Sequence, residues 1–177
     1  MIGIIIFLSL ALQILSQYNY TFVKELDLTK YQGKWIEVYK DLFDESFQKG
    51  GSCVKAEYTI LDSGNVSVFN TEYLKSGEIS NISGYAFYIG NHSGGELSVH
   101  LDGAPIAPYW VVELGPIVDN LYDYSIVSDD KQISLFVLAR DIDRFFNLYN
   151  ESVVQSLSKM GFTKFINQPL LVNQSFC

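Results

Sequence analysis

Two cysteines, two histidines and four prolines are all that the 177 residues contain of those types, and each shortage removes a class of protein. Four thiolates for a zinc cluster are missing, and His92 and His100 lack the i, i+4 spacing of a helical metalloprotease pair, so no metal site is expected. Basic residues are scarce as well: 12 Lys and Arg stand against 20 Asp and Glu, for a net charge of -8. A surface of that sign repels phosphate backbones, which argues against nucleic acid as a partner. No Gly-x-Ser-x-Gly elbow, phosphate-binding loop or Gly-x-Gly-x-x-Gly run occurs. The paired carboxylates Asp44-Glu45 and Asp129-Asp130 fall between expected strands, where a solvated turn explains them. These absences point away from an enzyme and from a bound cofactor.

Long apolar runs are equally rare. The stretch from Ile2 to Leu15 is the one candidate, and it falls short of the roughly 20 residues that a hydrocarbon core requires. It reads as a signal peptide over residues 1–16, cleaved before Gln17, which leaves a single domain over 17–177 and no stable membrane insertion. Six glycosylation sequons follow, at Asn19, Asn65, Asn81, Asn91, Asn150 and Asn173, where the abundance of Asn, Ser and Thr alone would give about one. The set implies a secreted, extracellular glycoprotein. In that oxidising space Cys53 and Cys177 are expected to pair with each other.

What the chain has in plenty is aromatic and β-branched residues, with Phe, Trp and Tyr making up 15%. Strand patterns recur at Lys34 to Lys40, Ser52 to Leu61, Asn65 to Leu74, Gly77 to Ile89, Glu96 to Leu101, Pro108 to Leu114, Tyr122 to Ser128 and Ile133 to Ala139. Short Gly-, Asp- and Pro-rich turns between them make neighbours antiparallel. The connection from Asp41 to Gly51, carrying Leu42, Phe43 and Phe47, is too long for a hairpin and suits a rim or lid.

Alternation assigns faces. In the second strand Val54, Ala56, Tyr58 and Ile60 are expected inward and Cys53 outward; in the sixth, Glu113 marks the wet side and puts Trp110, Val112 and Leu114 inside. Ser80 to Ser83 reads as a polar interruption or bulge. After Arg140 the period changes to 3.6, predicting one helix over about 150–160 with Asn150 as N-cap, Val153, Val154, Leu157 and Met160 on its apolar stripe, and Gly161 as C-cap. The cluster Asp141, Asp143 and Arg144 is expected to cap the passage from strand to helix. The fold class is all-β with one C-terminal α-helix, and eight antiparallel strands leave two solutions, a sandwich or a closed up-and-down β-barrel.

A resemblance decides between them. The run Leu26-Asp27-Leu28-Thr29-Lys30-Tyr31-Gln32-Gly33-Lys34-Trp35-Ile36-Glu37-Val38 resembles the first lipocalin motif, with its Gly-x-Trp core. Phe136-Val137-Leu138-Ala139-Arg140 looks like the family's third motif, in which an Arg ending the eighth strand lies over that Trp; Asp119 to Tyr124 is similar to the middle motif more loosely. Together with the Ala107-Pro108-Tyr109-Trp110 run and the C-terminal helix, this looks like the apolipoprotein D and bacterial-lipocalin branch over about residues 26–177. The resemblance implies an eight-stranded antiparallel up-and-down barrel with a disulfide-tethered tail, since Cys53 and Cys177 fall where that branch joins the second strand to the tail.

It also implies roles. Gly33, Trp35 and Arg140 form the structural motif, Trp35 plugging the closed end beneath the Arg140 guanidinium. Tyr58 and Phe136 match pocket-lining positions of the branch, and Phe69, Phe87, Trp110, Tyr124 and Leu138 complete the expected ligand-binding set. The implied function is a secreted lipocalin carrying a small hydrophobic ligand, such as a fatty acid, lysolipid, sterol or isoprenoid. A monomer is expected, and an encounter with a lipoprotein or membrane surface fits such cargo. Two alternatives stay open at this point: an isomerase-type enzyme on the same fold, and a filled-barrel interaction protein that binds a macromolecule through its loops.

Overall fold

The structure is a computed structural model that describes residues 20–43, 51–90, 93–174 and Cys177. The expected signal peptide, Asn19, Asn91, His92 and most of the 41–51 connection lie outside the described residues.

The eight expected strands are present as β1 (Gly33–Lys40), β2 (Ser52–Ile60), β3 (Val66–Tyr73), β4 (Ile79–Tyr88), β5 (Glu96–Leu101), β6 (Ala107–Leu114), β9 (Tyr124–Ser128) and β10 (Leu135–Ala139). A two-residue hairpin, β7 (Ile117–Val118) with β8 (Leu121–Tyr122), lies between β6 and β9. Each of the eight pairs antiparallel with its sequence neighbour, and β10 returns to pair with β1, so the sheet closes into a barrel without free edges. Helix α1 (Leu28–Tyr31) closes one end, its first turn capped by the Asp27 carboxylate, which accepts from the Thr29 amide at 2.9 Å.

Two apolar cores follow from the distribution of residues over the wall. One fills the barrel, with Trp35, Ala56, Tyr58, Val66, Val68, Ala86, Leu97, Val111, Val127 and Leu138. The other lies outside it, where Val38, Val112, Ile126, Leu135, Val137 and Ala139 meet Val153, Leu157 and Met160 of helix α3 (Asn150–Met160). Strands that serve both cores lose their alternation: all five residues of β9 are buried.

The second core explains where alternation misassigns faces. Val112 bulges out of the β6–β9 ladder, so that Tyr109, Val111 and Leu114 point inward, whereas Trp110 and Val112 point out beneath the helix. Glu113 faces outward and is partly buried there, accepting from the Tyr124 hydroxyl at 2.9 Å and from Ser156 of α3. Ser80 to Ser83 pairs with β3 in unbroken register and forms no bulge. The helix starts earlier than the 3.6 period shows. Asp141 caps α2 (Ile142–Arg144), accepting from the Arg144 amide at 2.8 Å, and a π turn at Phe145–Tyr149 carries it into α3. Asn150 therefore lies within the helical run and is no N-cap; its side chain instead accepts from the Tyr39 hydroxyl at 2.8 Å. Val154 is exposed, leaving Val153, Leu157 and Met160 as the buried stripe, and Gly161 ends the helix with φ 97°.

At the closed end the Arg140 guanidinium carbon stands 3.5 Å from the centroid of the Trp35 ring. Its nitrogens donate to the carbonyls of Tyr122, Lys34, Lys30, Tyr31 and Gln32, tying α1, β1 and β8 together. Gly33 adopts φ +95°, and a Cβ there would sit 3.4 Å from Nη1 of Arg140. At the other end β1 and β2 part after Ile36–Lys55. The C-terminal tail fills the opening: β11 (Leu170–Leu171) pairs with Tyr39 and Lys40, the Val172 amide donates to Val38, Gln174 donates to the Glu37 carbonyl, and the Cys53 amide donates to Asn173. The Cys53–Cys177 disulfide locks this strap. Cys53, expected outward, is 1% exposed, because a bulge with φ 54° breaks alternation there and the tail covers it.

Two substitutions test these ties. Arg140→Lys keeps the charge but cannot reach five carbonyls, and denaturant titration should show a loss of about 2 kcal/mol or more. Cys177→Ser opens a loop of sequence separation 124; the chain-entropy relation gives a loss of about 5 kcal/mol. Hydrogen exchange in that variant should quicken first at the Val172 and Cys53 amides, which donate across the strap.

A calyx with a phenol floor and a polar belt

The inner face of the barrel is built from alternate residues of each strand. Near the closed end three phenols meet: the Tyr31 and Tyr109 hydroxyls are 2.8 Å apart, Tyr109 donates to Tyr58 at 3.1 Å, and Ser125 lies 3.2 Å from Tyr31. The Tyr31 and Tyr58 rings stack, their centroids 5.8 Å apart. Burial raises all three phenol pKa values, Tyr31 to about 12 even though Ser125 and Tyr109 bonds oppose the rise. At physiological pH the floor offers neutral hydroxyls, not charge.

Above and around the floor run Val66, Val68, Ala86, Leu97, Val99, Leu101, Val111 and Val127, an aliphatic wall. Several inward groups remain half-buried: Tyr88, Val99, Leu101, Tyr109 and Phe136. Tyr109 is held by hydroxyls deep in the barrel, and part of its side chain remains accessible. Nearer the mouth the lining turns polar. Glu37 and Lys40 enter from β1, opposite Leu138 and Phe136, and are 4% and 2% exposed; Asn70 and Glu72 continue the inward set of β3.

Of the expected ligand-binding residues, the structure places Tyr58, Phe136 and Leu138 on the inner face. Four others lie elsewhere. Phe69 pairs with Ser83 on the outer face and is 42% exposed, because Val66 and Val68 take the inner side. Phe87 stands on the outer wall beside Tyr85, whose ring also meets His100, because Ala86 and Tyr88 turn inward. Trp110 packs outside with Tyr20 and Phe22, and Tyr124 lies under the helix region against Phe145 and Tyr149. Tyr31, Tyr109, Glu37, Lys40, Asn70 and Glu72 are the lining residues that pattern reading overlooks. Continuing Val66 and Val68 by twos reaches Asn70 and Glu72, and stepping two from Trp35 reaches Glu37; nothing comparable marks the bulge that selects Tyr109. Among the described residues no group of three His, Cys, Asp or Glu side chains could hold a metal ion.

A closed eight-stranded barrel, sealed by a stacked Trp and Arg at one end and lined by an apolar interior, is a calyx-type ligand-binding domain. The family model described as a lipocalin-like domain matches residues 26–169, and the chain belongs to the lipocalin family. Outer membrane lipoprotein Blc of Vibrio cholerae is 33% identical over 137 residues, 73% of this chain and 77% of that protein. Apolipoprotein D of Bos taurus is 38% identical over 90 residues, 50% of this chain; the match spans 46% of that longer protein. In structure, the cockroach allergen Per a 4 superposes with a TM-score of 0.62 at 22% identity, covering 91% of this chain and 96% of the other.

The phenol floor carries a pH signature. A phenol raised in the folded state from 10.0 contributes stability that is whole below pH 10 and lost as pH climbs through the folded value, about 12 for Tyr31. Unfolding free energy should therefore start to fall above pH 10. Absorbance titration should show Tyr31, Tyr58 and Tyr109 silent until the fold opens, and Tyr109→Phe should reduce that late-titrating group by one.

Proposed function

We propose that this protein is a secreted carrier that holds one small hydrophobic ligand inside the calyx. The observation that carries the reading is the set of inward, half-buried apolar side chains around Tyr109, free surface that a ligand would cover. Each ligand methylene removed from water there contributes about 0.8 kcal/mol, so a chain or ring system needs little more than shape to bind. Tyr58, Phe136 and Leu138 are proposed contacts, joined by Tyr109. Fatty acids, lysolipids, sterols and isoprenoids are the compatible classes.

Carriage fits better than catalysis. Both cysteines are joined in one bridge, the inner phenols resist ionisation, and His100 lies on the outer wall. Secretion is supported by that bridge and by the sequons: Asn81 and Asn173 are exposed and Asn65 lies at a turn, all reachable by glycans. Among the described residues no helix is long and apolar enough to cross a membrane. Around the mouth, however, Leu42, Phe43, Ile79, Ile106 and Ile133 are exposed, which supports an encounter of a monomeric carrier with a lipoprotein or membrane surface when cargo is exchanged.

The two tryptophans provide the test, because one lies at the barrel floor and the other outside. Delipidated protein secreted from a eukaryotic host should bind a fluorescent fatty acid saturably and one to one. The Trp110→Phe variant, reporting through Trp35, should change emission on binding, whereas Trp35→Phe, reporting through Trp110, should stay nearly flat. No saturable binding of any lipid class would overturn the carrier reading.

A further inference from the structure

The outer wall carries a glycosylation sequon whose register with the neighbouring strand sets it beside an exposed ring. In β4 the odd positions Asn81, Ser83 and Tyr85 face outward, because Ala86 and, across from it on β3, Val66 and Val68 line the interior. Asn81 is exposed and lies directly opposite Thr71; Ser83, the serine of the same Asn81-Ile82-Ser83 sequon, lies directly opposite Phe69. Phe69 is therefore the diagonal neighbour of Asn81, about 7 to 8 Å away. On its other side Phe69 meets Glu57 of β2, so neither lateral partner is apolar, and it stays 42% exposed. Other outward rings of this wall have company: Tyr85 meets Phe87 and His100, and Tyr73 stands opposite Ile79. Phe69 has no ring contact among the described residues.

The face of a phenyl ring carries partial negative charge, which the C–H face of a pyranose sugar complements. A sugar joined to Asn81 is tethered beside Phe69, so the contact forms without the loss of freedom that a free ligand would suffer. The side chains of the two sequons seen on regular elements differ in readiness. Asn150 lies in the helical run and accepts from the Tyr39 hydroxyl, whereas the Asn81 side-chain amide makes no hydrogen bond among the described residues. Strand β4 thus presents an unengaged acceptor for a sugar next to the ring that such a sugar would cover.

We propose that Asn81 carries an N-linked glycan whose first N-acetylglucosamine lies on the face of Phe69, covering that ring and bracing the β3–β4 pair from outside. The assignment rests on the secretion reading. The co-reactant is a lipid-linked oligosaccharide diphosphate: the Asn81 amide nitrogen displaces the lipid diphosphate from C1 of the first sugar. A C–N bond forms as the C–O bond breaks, the diphosphate leaves with the electron pair, and the amide gives up one proton to solvent.

The test is peptide mass spectrometry and denaturant titration of the full chain secreted from a eukaryotic host, as wild type, Asn81→Gln, Phe69→Ser and the double variant. The Asn81 peptide should carry N-acetylglucosamine. Asn81→Gln, which removes the glycan, should raise the unfolding equilibrium constant about fivefold, a change of about 1 kcal/mol. In the Phe69→Ser background the same removal should change it by less than about twofold, since the cycle isolates the sugar–ring contact. Enzymatic trimming of the wild-type glycans to their single first sugar should leave stability unchanged, a readout that needs no variant to fold. An unoccupied Asn81 in the secreted protein, an Asn81→Gln effect of equal size with and without Phe69, or stability lost on trimming to one sugar would each overturn the assignment while secretion stands. If the host retains the chain inside the cell with every sequon bare, the secretion reading itself falls and takes this assignment with it.

Discussion

The rest of the architecture hangs on one partly buried cation, Arg140. Arg140 ends the last barrel strand, and from there its guanidinium lies on Trp35 while donating to carbonyls of α1, β1 and β8. A sheet of eight strands closes only if its first and last strands meet in register, and this side chain fastens β10 to the start of β1 at that seam. Desolvation lowers the Arg140 pKa to about 10, yet the group stays charged at neutral pH, helped by the carbonyls it donates to and by the Asp123 carboxylate nearby. The same contacts orient Tyr31, whose backbone carbonyl also accepts from the Trp35 indole at 2.8 Å and whose hydroxyl starts the phenol floor. The seal at the closed end and the base of the calyx are therefore one piece of structure.

Much of this was readable from residues alone because it depends on local rules. Turn chemistry placed the eight strands, and the family resemblance carried by Gly33, Trp35 and Arg140 implied the seal and with it the barrel. The disulfide followed from compartment and count. What could not be read was which way individual rings point. Alternation is reliable only where one face is wet, and here a helix covers part of the outer wall, so that β6, β9 and β10 carry apolar residues on both sides. One bulge at Val112 exchanges Trp110 for Tyr109 as the inward group. Phe69 and Phe87 are large and apolar, and size alone suggested the interior, whereas smaller neighbours, Val68 and Ala86, occupy it. The polar belt escaped notice for the opposite reason, since Glu37, Asn70 and Glu72 resemble surface residues until their register is fixed.

The strap formed by residues 170–174 has a consequence for biosynthesis. Eight strands can pair as they emerge, but among the described residues the gap between β1 and β2 is filled by residues more than a hundred positions later in the chain. The wall therefore stays unfinished along one seam until those residues have left the ribosome and the Cys53–Cys177 bridge has formed. The order of synthesis, and not the pairing of the eight strands alone, therefore sets when this wall is complete.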